Sequence, residues 1–158
     1  MIYQSNNYKP AILVWIEKMF TYANKKGWDK TYWVFDIHGV ISKPDYRRDR
    51  KKIDYYKYAK ETLQLISEKH KDIVLIIFSS SYPKEMEIYM NTFKEDKINF
   101  KYVNENPEID SSKGDFGYYK EKFYFNVLFE DKAGFDPKTD WEYIYNYLKN
   151  EKATTKNN

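Results

Sequence analysis

Apolar residues recur along this chain in two alternating rhythms. From Lys9 to Asn24, the residues Ile12, Leu13, Trp15, Ile16, Met19, Phe20 and Ala23 fall at helical spacing, with Pro10 at a first-turn position and Gly27 just beyond. The spacing predicts an amphipathic helix over about residues 9–25. The aromatic and β-branched run Tyr32–Ile37 predicts a strand. A second helix is expected over Ile53–Lys69, with Tyr56, Ala59, Leu63 and Ile66 on its apolar side. Ile73–Phe78 is continuously apolar and reads as a fully buried parallel strand. Pro83 opens a helix reaching about Phe93, Asn99–Val103 reads as a third strand, and "FYFNVLFED" (123–131) as a fourth. The stretch between them, through Pro107 and Gly114 to Gly117, is a loop with room for a short helix. A closing helix, Trp141–Leu148, follows Pro137, and "EKATTKNN" is expected to fray.

Strands alternating with helices predict an α/β fold, a three-layer Rossmann-like sandwich around a mostly parallel sheet. The 158 residues fit one domain over about residues 1–150, followed by a tail. Such sheets bind ligands at the carboxyl ends of their strands, near the switch in strand order. That rule makes the strand ends the candidates for chemistry: Asp36 and His38, then Ser79 to Ser81, then Glu130 and Asp131. Singly, each has a purely structural reading, as a turn cap, a helix cap or a loop start. Together they place small or acidic side chains at the ends of three buried strands. Two carboxylates at neighbouring strand ends can hold Mg²⁺, a hard cation that prefers oxygen and often bridges to phosphate. A hydroxyl and free N–H groups at a helix start offer donors to phosphate oxygens.

Composition narrows the chemistry further. The chain has no cysteine, which removes disulfides, thiolate zinc sites and cysteine nucleophiles. Aromatic residues make up 20% of it, with 17 tyrosines, so much of the core must be built from rings that need polar partners. "AILVWI" is far too short to span a membrane and lacks the flanks of a secretory signal. A cytoplasmic protein without membrane contact is expected. The net charge of +3 says little, but "KPDYRRDRKK" (43–52) gathers six basic residues against two acidic ones. That run is either a solvated loop or an attractor of phosphate groups beside the strand end at Asp36.

The motifs "FDIHGVI" (35–41), "IVLIIFSSS" (73–81) and "EDKAGFD" (130–136) resemble those of the haloacid dehalogenase-like hydrolases, mostly Mg²⁺-dependent phosphatases that act through an aspartyl-phosphate. The resemblance covers about Tyr32 to Asp136. It implies Asp36 as nucleophile and metal ligand, Asp131 as the second metal carboxylate, and the backbone carbonyl of His38 as a third ligand. Ser79, or Ser80 beside it, matches the phosphate-binding hydroxyl. The family's lysine is matched by Lys120 or Lys122, with Lys113 a looser choice, and Asp136 matches the trailing acid near the metal. His38 departs from the family, which usually carries an Asp there as general acid and base; imidazole can serve either role near neutral pH. The spacers leave no room for a folded cap domain, so an open site is expected. The resemblance thus implies a phosphomonoester hydrolase acting on a phosphorylated small molecule, a nucleotide or a nucleic-acid end, with closure of the site by homo-oligomerisation as one option. The alternative is a catalytically silent relative that binds a phosphorylated partner or nucleic acid. His70, in "EKHKD", is expected at an exposed helix end.

Overall fold

A computed structural model describes residues 8–45, 47, 52–109 and 122–151. Helix α1 (Ala11–Lys26) ends at Gly27, whose φ of 64° lets its N–H turn back onto the carbonyl of Asn24. Strand β1 (Thr31–Phe35) follows, then α2 (Ala59–Lys69), β2 (Ile73–Ile77), α3 (Pro83–Glu95), β3 (Phe100–Val103), β4 (Val127–Phe129) and α4 (Asp140–Asn150). The four strands form one all-parallel sheet in the order β3-β2-β1-β4. The order reverses at β1, which lies between β2 and β4, so its carboxyl end is the crevice that the α/β rule singles out.

Alternation along the strands divides the core. Trp33, Phe35, Leu75, Ile77, Val127 and Phe129 meet apolar residues from all four helices on one face. Tyr32, Val34, Val74 and Ile76, with Tyr102 and Leu128 beside them, form the other face, covered by the two rings of Phe123 and Phe125 from the β3–β4 connection. The molecule is therefore a three-layer Rossmann-like α/β sandwich: helices, sheet, and crossover segment. All five residues of β1 and of β2 are buried, which accounts for their nearly continuous apolar sequence. Phe35, Phe129 and Trp141 stack with centroids 4.1 to 6.1 Å apart and seal the core beneath the strand ends.

Several elements are shorter than the sequence predicts. Residues 53–58 are not helical, because their backbone pairs with the loop after β1: Lys43 N–H donates to Asp54 and Tyr56 N–H to Ile41. Tyr58, at φ 67°, then breaks direction before α2 begins, so Tyr56 lies outside the helix to which its spacing assigns it. Strand β4 starts only at Val127. Phe123 and Phe125 pack on one face of the sheet while Val127 and Phe129 pack on the other, so the two-residue alternation fails at Asn126. Asn126 instead bridges to β1, its Oδ1 accepting from Tyr32 N–H at 2.7 Å.

The placement of His70 also differs from expectation. It is buried, 1% exposed, with Nε2 3.1 Å from the carbonyl oxygen of Leu148. That carbonyl is among the last four of α4, which lack partners within the helix, so His70 closes the end of one helix from the end of another. Of the loop with room for a short helix, residues 107–109 are described and are not helical, while its remainder from 110 and the frayed tail beyond Glu151 lie outside the described residues. Among the described residues no helix is long and apolar enough to cross a membrane, and neither the β1–β2 nor the β2–β3 connection contains a second folded unit.

Candidate functional site

The ladder runs one step past β1, because Asp36 N–H donates to Phe129 carbonyl at 3.0 Å while Phe78 N–H donates to Phe35 carbonyl at 2.8 Å. Asp36 is thereby fixed between the ends of β2 and β4. Its Oδ1 accepts from the N–H of Ile37 at 2.8 Å. The chain then turns tightly: Ile41 and Ser42 N–H groups both donate to the carbonyl of Ile37, and Ile37, Val40 and Ile41 are buried. The turn is pinned from below by Trp141, whose indole N–H donates to Val40 carbonyl at 2.8 Å.

Glu130 follows β4 directly and Asp131 opens a single 3₁₀ turn, Asp131–Ala133. Asp36, Glu130 and Asp131 each bring one carboxylate oxygen to within 4.8 Å of the other two. Gly39, at φ 83°, makes this approach possible: a Cβ there would lie 2.5 Å from Asp131 Oδ2. Crowding has an electrostatic cost. Burial pushes the Asp36 carboxyl up, opposed by the Ile37 N–H and the Lys132 charge and reinforced by Asp131. Glu130 is pushed up likewise, by burial first and then by its contact with Asp131.

Three oxygens from acidic side chains on two adjacent strand ends form a set that suits a hard divalent cation such as Mg²⁺. The raised proton affinities of Asp36 and Glu130 point the same way, since surroundings that resist negative charge accept a positive one. The lack of a side chain at Gly39 leaves the Asp131 carboxylate in place to serve. The residues present therefore fit the group.

The other predicted residues are distributed around this cluster. His38 stands edge-on to Tyr89 of α3, centroids 5.6 Å apart, with Nε2 3.2 Å from the Tyr89 hydroxyl. Ser79 Oγ lies 2.9 Å from Ser81 Oγ and accepts from Ser81 N–H, so the hydroxyl shapes the turn into α3. Asn104, at the end of β3, holds Ser79 by both backbone groups at 2.8 Å. Ser80 is exposed. Asp136 is not among the three converging carboxylates: its Oδ1 accepts from Lys138 N–H, and its own N–H donates to Asp140, in the turn that starts α4. Lys122 lies on the crossover face with Phe78 and Phe123, while Lys113 and Lys120 fall outside the described residues.

Two neighbours of the cluster escape the sequence reading. Lys132 carries the positive charge that acts on both Asp36 and Glu130. Its position directly after Asp131 is the signal that could have found it, whereas the family pattern directs attention to lysines ahead of β4. Tyr56 is held up in pKa by burial and by Asp131, Asp136 and Asp54, which places its phenol beside the acids. In the basic stretch, Arg47 forks onto Asp45, with Nη2 2.7 Å from Oδ2, and Lys43 pairs with Asp54 at 3.6 Å. Tyr46, Arg48, Arg50 and Lys51 lie outside the described residues.

No family model and no curated protein matches the chain. A solved structure of a conserved protein from Bacteroides thetaiotaomicron is similar in fold, with 20% identity and a TM-score of 0.54 over 78% of this chain and 93% of that one.

Proposed function

We propose that this chain is a Mg²⁺-dependent phosphomonoester hydrolase of the haloacid dehalogenase-like type, with Asp36 as its nucleophile. The observation that carries the reading is the convergence of Asp36, Glu130 and Asp131 within 4.8 Å at the strand-order switch of a parallel sheet. Those three carboxylates would hold the cation. A bound divalent ion supplies charge neutralisation for phosphoryl oxygens.

The chain's own groups do the rest. A carboxylate oxygen of Asp36 attacks phosphorus in line, forming an O–P bond while the bond to the leaving oxygen breaks and its electron pair goes to that oxygen. His38, two residues along and held by Tyr89, is the proton donor to the leaving group. In the second step water attacks the aspartyl-phosphate, His38 takes the water's proton, and Asp36 is regenerated. Lys132 offers a nearby ammonium to the charge that gathers on the phosphoryl group. Nucleotides, nucleic-acid ends and small phosphorylated molecules are the candidate substrates.

One observation favours a second reading, a silent binder of phosphorylated partners: an imidazole bonded to Tyr89 stands where the family usually has a carboxyl acid. Phosphate release from an aryl phosphate, with and without Mg²⁺, decides between them. The hydrolase reading expects Mg²⁺-dependent release that falls at least about a thousandfold in Asp36→Asn, because the nucleophile itself is removed. It expects His38→Asp to leave the rate unaltered or lower. No release between about pH 5 and 8, where imidazole changes charge, would transfer the case to the silent binder.

A further inference from the structure

Resting on that reading, we propose that the cavity beside Asp36 makes the chain selective for aryl phosphates, seating the single aromatic ring of the leaving group. The cavity measures about 240 Å³ and is lined by Val34, Phe78, Lys122, Phe123, Phe125 and Leu128. Its position follows from register. Phe35 pairs with Ile77 and with Phe129, so the next residues, Asp36, Phe78 and Glu130, stand side by side one step beyond the ladder. Side chains alternate across a sheet, so these three share a side with Val34 and Leu128, two residues earlier on their strands. The apolar lining therefore begins where the acidic cluster ends.

Size and chemistry select the occupant. A dry cavity of about 150 Å³ accommodates benzene, so about 240 Å³ has room for one ring with its linking oxygen. The walls are aromatic, with Phe123 centred 6.1 Å from Phe78 and 5.9 Å from Phe125, and they offer faces and edges for a further ring. Phe78 follows five buried strand residues, yet remains 46% exposed beside the polar cluster. A ring seated there would remove that surface from water.

The reaction favours the same substrate. When the P–O bond to an aryl group breaks, its electron pair goes to a phenolate oxygen, which then takes its proton from His38. A phenol ionises near pH 10, so it leaves with less help from an acid than an alcohol does. That suits a site in which the usual carboxyl acid is replaced by an imidazole engaged with Tyr89. A phosphotyrosine side chain and a free aryl phosphate share this chemistry.

The test uses phenylphosphonate and methylphosphonate, which cannot be hydrolysed, titrated calorimetrically into the native chain with Mg²⁺. Burying a ring in an apolar site predicts at least about tenfold tighter binding of the phenyl compound. Phe78→Ala and, separately, Phe123→Ala should reduce that ratio to about twofold. Equal binding of the two compounds by the native chain, or a ratio unmoved in both variants, overturns the proposal. Ring selectivity without turnover of any ester upholds the cavity and removes the hydrolase reading, whereas turnover without selectivity does the reverse. Competition by a phosphotyrosine peptide as strong as by free phosphotyrosine assigns a protein substrate; exclusion of the peptide assigns a small one.

Discussion

At the scale of single residues, the acidic cluster depends on a side chain that glycine lacks. Gly39 has a φ of 83°, and a Cβ there would stand 2.5 Å from Asp131 Oδ2 and 2.9 Å from its Cγ. Gly39→Ala therefore combines a strained backbone, worth about 1–2 kcal/mol, with a clash that pushes Asp131 away from Asp36. Gly27 separates the two effects, since it has a similar φ of 64° but a methyl group there would meet nothing within 4 Å. Gly27→Ala should lower the unfolding midpoint comparably and leave Mg²⁺ affinity as it was. Gly39→Ala should lower the midpoint and weaken Mg²⁺ binding at least about tenfold, read by calorimetric titration. Equal Mg²⁺ affinity in the two variants would mean that Asp131 is not a ligand.

Among the elements, α4 supports the site from beneath through one hydrogen bond and one stack. Trp141 is fully buried, its ring stacks on Phe35 and Phe129, and its N–H holds the carbonyl of Val40 in the turn that carries Gly39. Trp141→Phe keeps much of the stack and leaves that buried carbonyl unpaired, a loss of about 1–3 kcal/mol. Denaturant unfolding should show that loss, and hydrogen exchange at residues 39–42 should quicken more than exchange in β2. How far such features are legible in the sequence depends on what encodes them. The buried strands β1 and β2 are readable because burial on both faces leaves an uninterrupted apolar run, and Asp36 and Asp131 are readable because polar residues at the ends of such runs stand out. The true start of α2 is not, since Ile53 and Tyr56 have helical spacing while the backbone of residues 54–56 pairs with residues 41–43. The burial of His70 is hidden for a related reason: its partner, the carbonyl of Leu148, lies 78 residues away, and no local pattern announces it. Tyr56 belongs to the same class, being a neighbour of the acids through folding alone.

Across the whole molecule, two carboxylate arrangements with opposite acid–base behaviour act at different places in the architecture. At the strand ends, Asp36 and Glu130 are held up in pKa, so the fold without metal is relieved as they take up protons. On the crossover face, Glu108 does the reverse. Lys101 above all, with Lys30, Tyr102 and Tyr32, donates to its carboxylate and holds it at about 2, below the 4.5 of an ordinary glutamate. These donors come from β1, β3 and the residue before β1, so one carboxylate fastens the β3–β4 connection across the sheet. Because the folded value is the lower one, the unfolded chain binds more protons between the two, and stability from this group rises with pH there. It is fully present above about pH 4.5 and is lost as the pH falls through about 2. The native chain alone would blur this against the opposite trend from Asp36 and Glu130, so the informative quantity is a difference. The unfolding free energy of the native chain minus that of Glu108→Gln, measured with urea from about pH 7 to about 2.5, should be positive and flat down to about pH 4.5 and then shrink. A difference that stays constant to the acid end would mean that the carboxylate charge does not hold the crossover.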